Sequence, residues 1–464
     1  MILNENKMER KKLLQIVGVI CLMFVYTNSN AQCGPVGNGT NGGIHCMYPD
    51  TSRNCLYVGG GFHNSGVDTM NYCGYWNDSS YVPMDMMGNK GCNDSVWCFT
   101  YFNGSLYVGG SFTQAGGVSS NYIARWDGAS WYPVGNGFNS SVHSLTVYNN
   151  QLYAGGQFTM SGSNSVSHLG YWNGTQWNQV GGGVDQDVKA MCVWNNALYI
   201  GGDITVAGGV TVNRICKWDG ANYFAVGSGF NSGMGEPCIV RSFCIYNGNL
   251  IAGGMFEHSG TSDMHNLAMW NGSTWSSIGH IDGGMMGENG VRTMCAYNNR
   301  LFIGGSFSSC GSTSSNNLGM WDGSSWSSIG TGMDGAVNSL AVHHNELYIG
   351  GSFTNAAGTS VNNIAKYSAN TGIHALNGNS ISLTVYPNPA GNYVRLSWVN
   401  ENLTEVKLTL SDIAGKILFE RDQILPSIGI HQEEIPMNDI SDGIYMITLN
   451  SGERNYSARV VIFR

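Results

Sequence analysis

Charge is scarce in this chain: Lys, Arg, Asp and Glu together make up 11% of its 464 residues. Basic residues are the scarcer kind, 21 against 30 acidic ones, and setting aside residues 1–31 leaves 17 against 28. A surface short of positive charge argues against nucleic acid and anionic membrane as partners. After residue 31 no run approaches the roughly 18 apolar residues of a membrane-spanning helix, so this part of the chain is expected to carry no transmembrane segment. There is no Cys-x-x-Cys and no Cys/His metal spacing, so neither a metal nor a cofactor is expected. No nucleophile, base and oxyanion donor combine in a recognisable pattern, and catalytic residues are therefore expected to be none.

Glycine, by contrast, is abundant at 66 residues, which suits short strands and tight turns better than helices. Residues 1–31 have the layout of a signal peptide. Lys7, Arg10, Lys11 and Lys12 precede the apolar run Ile16 to Tyr26, and Ser29-Asn30-Ala31 offers a cleavage site before Gln32. Of the 13 cysteines only Cys21 lies in that segment; the other twelve fall between Cys33 and Cys310. An even number in an exported chain makes disulfides plausible. Cys192, Cys244 and Cys295 share one repeat position, however, and strands so placed lie too far apart to bridge, so these three are expected as buried free thiols.

The organising feature is Leu106-Tyr107-Val108-Gly109-Gly110-Ser111-Phe112, which recurs with starts at Leu56, Leu106, Leu152, Leu198, Leu250, Leu301 and Leu347. A period of 46 to 52 residues marks a radial or stacked repeat. In the third copy Val142 to Tyr148 alternates as a strand, and Asn149-Asn150 supplies a two-residue turn into Leu152 to Phe158. His168 to Trp172 and Trp177 to Gly181, joined by Asn173-Gly174, complete four antiparallel strands, the content of one propeller blade. The Trp that ends strand three recurs in nearly every copy and is expected to pack in the core. Pro35-Val36-Gly37-Asn38-Gly39 duplicates Pro133 to Gly137 letter for letter, which suggests residues 33–39 as an outer strand closing the last blade. The expectation is an all-β chain: a seven-bladed β-propeller of four-stranded antiparallel blades over 32–371, a linker over 372–380, and a small C-terminal β-sandwich over 381–464.

With those strands placed, the unit resembles kelch and galactose-oxidase-type propeller repeats. The wording Gly-Gly-Ser-Phe-Thr-Gln-Ala-Gly-Gly at Gly109 to Gly117, followed by Asn-Tyr-Ile-Ala-Arg-Trp-Asp-Gly at Asn121 to Gly128, resembles repeats of fungal cell-polarity marker proteins and bacterial surface propellers. The copper-binding His and Tyr set of galactose oxidase has no residue-by-residue match here. In the C-terminal segment Val385-Tyr386-Pro387-Asn388-Pro389-Ala390 comes first, then Leu408 to Lys416 ending in Ala414-Gly415-Lys416, then Ile440 to Ile447 with Gly443 and Tyr445. In order and spacing these motifs resemble the C-terminal sorting domain of type IX secretion cargo in Bacteroidetes. The resemblance implies handling by the type IX machinery through this domain and delivery to the outside of a Gram-negative cell, where such domains are usually removed.

Function is then sought where the repeats differ. Turns between strands one and two, and three and four, are short and uniform and share one face of the disc. Between-blade loops such as Met84 to Cys92, Gly227 to Cys238 and His280 to Glu288 share the other, and all length variation lies there. Just inside that face the second residue of strand one varies: His45, Trp97, His143, Lys189, Arg241, Arg292 and Asn338. These seven are expected to ring a channel mouth, with Lys189, Arg241 and Arg292 as a basic arc for an acidic glycan or carboxylate, or else paired with Asp185, Asp187 or Glu236. His343-His344, at a hairpin turn, reads as solvated. The chain is expected to bind an unidentified surface protein or glycan; the alternative is a glycan-active lyase or hydrolase using the variable face, with Asp85, Asp282 and Glu288 as candidate carboxylates.

Overall fold

The computed structural model describes residues 32–232, 237–283, 290–368, 384–386, 390, 392–400, 405–412, 415–424, 429–451 and 454–462. The expected signal peptide and linker, Met234, Glu236, Glu288, and Pro387, Asn388 and Pro389 of the sorting motif lie outside the described residues. The chain divides into two compact units, Met1–Ala369 and Asn370–Arg464. Every regular element among the described residues is a β-strand.

The first unit repeats one sheet. Its clearest example runs Val142–Tyr148, Gln151–Gly156, Leu169–Trp172 and Trp177–Gln179, hydrogen-bonded in that order. The first hairpin closes through Asn149 and Asn150 at φ of 48° and 57°. A two-residue hairpin needs positive φ at both central residues, and Asn is the non-glycine residue that adopts it most readily. Six sheets follow this chain order, and in a seventh the outer place beside Ile364–Ser368 is taken by Gln32–Pro35 from the other end of the unit. First strands of successive sheets pack on one another in a closed circuit, Ala336–His343 against Ile44–Asp50 completing it. The domain is therefore propeller-like, with the first strands innermost.

The glycine pair is explained by that circuit. A Cβ on Gly155 would lie 2.4 Å from Val188 Cγ1 of the next sheet, and one on Gly350 would lie 2.7 Å from Ile44 Cγ2 across the closure. The first glycine of the pair is thus the contact surface for a β-branched side chain of the neighbouring first strand. The second meets backbone: a Cβ on Gly156 would be 2.1 Å from the Ser141 carbonyl oxygen. Neither position has room for a side chain, so the pair is a packing device.

Outer strands are joined between sheets by aromatic residues. Trp177, fully buried, donates Nε1–H to the Val134 carbonyl at 3.2 Å, and Trp275 does the same to Val226 at 3.0 Å. Tyr223 repeats the link to Val180 through its hydroxyl at 2.8 Å. The Trp that ends strand three packs on this residue, as Trp126 does on Trp131 with ring centroids 5.1 Å apart. Trp76, Trp126, Trp218 and Trp270 are buried, while Trp172 and Trp321 are partly covered. Loops between strands two and three contain a two-residue hairpin not legible in the sequence, such as Gln114–Ala115 with Val118–Ser119, because segments so short show no alternation.

All twelve cysteines after residue 31 are free thiols, so the disulfides made plausible by their even number are absent from the described residues. Cys192, Cys244 and Cys295 are only partly buried, yet burial pushes their thiols up to about 11, 12 and 11 respectively. They are protonated and inert at neutral pH.

The second unit holds two sheets. Thr384–Tyr386, Tyr393–Asn400 and Gly429–Pro436 form one; Ile417–Ile424, Glu405–Asp412, Gly443–Ser451 and Arg454–Ile462 form the other. A single apolar cluster takes Val394, Leu396 and Ile435 from the first and Leu408, Ile447, Leu449 and Val460 from the second.

Candidate binding ring

His45, Trp97, His143, Lys189, Arg241, Arg292 and Asn338 share a backbone feature that sequence reading missed. In every first strand the register shifts across this residue, between Ile44 and Cys46, Val96 and Cys98, Val142 and Ser144, Val188 and Ala190, Val240 and Ser242, Val291 and Thr293, and Val337 and Ser339. Each is the extra residue of a β-bulge, which has no cross-strand partner and is free to point away from the pleat. The available signal was a break in alternation: Val142, Ser144, Leu145 and Tyr148 are buried, a pattern no strand of strict period two gives.

Four of the seven side chains form a continuous chain of contacts. The His45 and Trp97 rings stack 4.1 Å apart and within 6° of parallel, and His143 meets Trp97 edge-on at 6.0 Å. Trp97 donates Nε1–H to Ser111 Oγ at 2.9 Å and stays 36% exposed, unusually open for an indole so held. His143 Nδ1 lies 3.0 Å from Asp187 Oδ1 and 3.1 Å from Lys189 Nζ. One nitrogen cannot both donate to the carboxylate and accept from the ammonium, so which of the two bonds forms depends on which ring nitrogen carries the proton. Lys189 Nζ also reaches Asp187 Oδ2 at 2.5 Å. Burial raises the Asp187 carboxyl, but hydrogen bonds and charge from His143 and Lys189 outweigh it and hold the group below the usual carboxylate range.

The basic arc is thus not three open charges. Lys189 is paired with Asp187, and Arg292 donates from Nη1 to Asn338 Oδ1 at 2.9 Å. Asn338 in turn donates to the Ile44 carbonyl at 3.1 Å, tying the seventh sheet to the first. Asp203 lies close enough to feel Asp187, Lys189, Arg214 and Arg241. Burial first, and then the Asp187 charge, raise the Asp203 carboxyl, whose Oδ1 is buried without a hydrogen-bond partner. Sequence reading missed Asp203, which follows an otherwise ordinary Gly-Gly strand where other copies carry Gly, Ser, Gln or Met.

His45 is the ring's most perturbed base: burial, with the Arg292 charge adding, drives its imidazole down to about 4. An unfolded histidine titrates near 6.5. As pH falls from about 6.5 to about 4, the unfolded chain takes up a proton that the folded ring refuses. The contribution of His45 to stability is therefore complete above about pH 6.5 and declines through that window by about 2–3 kcal/mol. His45→Phe is expected to flatten this part of the profile, read as urea midpoints at pH 7 and pH 4.5 in both proteins. Equal slopes would show that His45 does not carry it.

The other candidates fare differently. Asp85 Oδ1 accepts from the Gly88 amide at 2.7 Å, and Asp282 faces His265 at 3.8 Å, so each has a local structural partner. In the loop Met84 to Cys92, Met84 is buried and Met86 Sδ lies 3.3 Å from the Trp131 amide nitrogen, so two of its three methionines pack inward while Met87 is exposed. His343 is a correction: it is 1% exposed, not solvated. In the C-terminal unit Gly415 turns at φ 84° and the Lys416 amide donates to Asp412 Oδ1 at 2.9 Å, closing a hairpin. Gly443 opens a strand on which Tyr445 is buried, its hydroxyl 2.9 Å from the Ser441 carbonyl.

Residues 384–463 match the family described as secretion system C-terminal sorting domain. The chain is exported by type IX secretion, to the cell surface or beyond it. Residues 103–126 and 345–370 match a β-propeller domain of unknown function (DUF5122). Among solved structures, PorZ, a bacterial surface component of the type IX secretion system of Porphyromonas gingivalis, is 13% identical with a TM-score of 0.45. That match covers 94% of this chain and 60% of PorZ, so the chain spans less than two thirds of that protein. The GH74 enzyme of Niastella koreensis is 10% identical with a TM-score of 0.39, over 93% of this chain and 74% of the enzyme. No curated protein matches the sequence. Among the described residues no helix is long and apolar enough to cross a membrane.

Proposed function

We propose that the first unit is a seven-bladed propeller of kelch-like blades which, carried out by a signal peptide over 1–31 and a sandwich-type sorting domain, binds a surface glycan or protein at its bulge ring. The observation that carries this is Trp97. Exposed aromatic surface is usually left loose or covered, whereas this indole is fixed on one face by His45, at its edge by His143 and through its nitrogen by Ser111. A rigid, partly open aromatic among Asn, Arg, Lys and His donors suits a sugar ring, whose C–H face stacks while its hydroxyls find polar partners. The same surface suits an aromatic-rich protein anchor.

The test is a glycan and protein-partner screen of the purified protein, repeated with Trp97→Ala and with Lys189, Arg241 and Arg292 changed to Ala. Any ligand of the ring is expected to lose at least about tenfold in affinity with Trp97→Ala, roughly 1.4 kcal/mol. Ligands indifferent to all four changes would refute the ring as the site. A second reading rests on Asp187 and Asp203, two carboxyl groups whose surroundings push their affinities for protons in opposite directions, the pattern of an acid paired with an ionised partner. Cleavage of a bound glycan, abolished by Asp203→Asn with binding intact, would favour that reading.

A further inference from the structure

The tight-turn face, which the repeat makes look uniform, departs from its pattern where the seventh sheet meets the first. Between most neighbouring sheets the residue ending strand one reaches across to the next sheet's first turn. Tyr148 donates to the Asn196 carbonyl at 3.0 Å, Trp194 to Gly248 at 3.1 Å, Tyr246 to Asn299 at 3.1 Å and Tyr297 to Asn345 at 2.7 Å. Where the seventh sheet meets the first, that position is His343, and the turn residue after it, Asn149 or Asn298 elsewhere, is His344. A second exception faces them. The turn between strands three and four carries Gly128, Gly174, Gly220, Gly272 and Gly323 at φ of 101° to 110°, but in the first sheet the residue is Asp78 at φ 70°. An aspartate is tolerated there less well than glycine, so its presence opposite two histidines calls for a compensating interaction.

The geometry of the three is that of ligands. His343 Nε2 lies 3.2 Å from Asp78 Oδ1, and His344 Nδ1 lies 2.9 Å from Oδ2 of the same carboxylate. The two imidazole centroids are 3.9 Å apart, and one donor atom from each of the three residues falls within 4.8 Å of the others. The His343 side chain is wholly buried, with Nδ1 lacking a hydrogen-bond partner and Nε2 within 3.2 Å of Asp78 Oδ1 but poorly aligned for a hydrogen bond. His344 Nε2 is held by Asn54 Oδ1. That leaves Nδ1 facing Asp78 Oδ2 at 2.9 Å, a gap between an imidazole nitrogen and a carboxylate oxygen that either a proton or a metal cation can bridge. Donors around a tetrahedral zinc ion, with bonds of about 2.0–2.1 Å, lie about 3.4 Å apart. Here the two nitrogen–oxygen pairs, each to a different oxygen of the carboxylate, are 3.2 and 2.9 Å apart, and one donor atom from each residue falls within 4.8 Å of the others. A recess of about 200 Å³ beside the cluster, bounded by Trp76, Glu346, Tyr348 and Lys366, gives access and room for a further ligand.

We propose that Asp78, His343 and His344 bind a divalent transition metal of the zinc type, with a remaining position open to water, and that the ion staples the seam at which the ring of sheets closes. Two imidazole nitrogens and one carboxylate oxygen suit zinc, cobalt or nickel and are poor ligands for magnesium, which prefers an all-oxygen shell. The site is independent of the bulge ring, which lies at the other end of the first strands.

Chelator-stripped protein titrated with zinc chloride in a calorimeter is expected to bind one equivalent through this site and to melt at a higher temperature, with magnesium chloride giving no shift. The variant Asp78→Gly, His343→Tyr, His344→Asn installs the residues found at the seams of Tyr148, Tyr246 and Tyr297, so it is expected to fold, to lose the equivalent and to lose the zinc-induced shift. It keeps all twelve cysteines, so zinc held by thiols is the same in both proteins. Should the triple variant fail to fold, Asp78→Asn and His344→Gln are expected to weaken binding at least tenfold and to alter the visible spectrum of the cobalt-loaded protein. Folded protein that takes up no zinc, cobalt or nickel, or folded variants that bind as the parent does, would overturn the proposal.

Discussion

Deleting residues 32–39 is expected to destabilise the first unit by about 5 kcal/mol or more, a large share of the stability of an ordinary domain. Gln32–Pro35 pairs along its whole length with Ile364–Ser368, and Cys33 and Val36 are buried, Cys33 against Tyr367 and Val36 against Trp76 and Tyr81. Two buried side chains account for about 3–6 kcal/mol and each ladder hydrogen bond for about 1 kcal/mol. Beyond the strand, Asn362 donates to the Asn38 carbonyl at 2.9 Å and Asn363 to the Thr40 carbonyl at 2.7 Å. Removing the segment leaves Ile364–Ser368 as an open edge, so the truncated protein is expected to self-associate as well as to unfold earlier. Urea midpoints and sedimentation measure both effects. A gentler variant, Cys33→Asp, is expected to move the midpoint the same way, since this site already pushes a thiol up to about 12 by burial alone. An unchanged midpoint in both proteins would mean that the circuit holds without its outer strand.

Removing residues 384–464 is expected to abolish appearance of the protein at the cell surface and in the medium, leaving it inside the outer membrane. The match to a sorting domain over 384–463 supports an all-or-none effect, because the segment is a compact unit with a core of its own. Fractionation and immunoblotting of cells expressing the two forms make the comparison, and the same segment fused to a periplasmic reporter is expected to carry it out. Surface delivery of the truncated chain would show that another part of the protein is recognised. Tyr445→Ala separates folding from recognition: loss of a buried aromatic costs about 3–5 kcal/mol, so its export defect should follow the unfolded fraction of the unit.

How much of this was written in the sequence depends on periodicity. The all-β character, the four-strand unit and the Asn-Asn turns followed from alternation and turn chemistry repeated seven times, since each copy corrects the reading of the others. The echo of Pro133 to Gly137 in Pro35 to Gly39 drew attention to the N-terminal strand. The bulges stayed hidden because one inserted residue changes register without changing composition, and a reader of alternation sees only that one side chain varies. Lys189 looked like an open charge because its partner Asp187 precedes the strand and its other contact, His143, comes from the sheet before. The Asp78, His343 and His344 cluster was out of reach for a stronger reason. Its members come from the first and last sheets, and a hairpin turn is ordinarily solvated, so nothing local distinguishes a histidine that the ring's closure buries.

That closure also sets an order of events for folding. The strand Gln32–Pro35 emerges first and its partner Ile364–Ser368 last, with Asn38 and Asn362, which join beside them, separated by 324 positions in the chain. Six sheets can form from neighbouring residues, but the seventh must wait for the whole unit, and a contact of such long range is paid for in loop entropy before it returns any stability. Until then the unit is an open arc with two exposed ends, the form that associates with its own kind most readily. The longer its last strand is delayed, the longer the chain stays in that form, so the rate of closure as well as the stability of the sheets is expected to decide how much of it reaches the folded state.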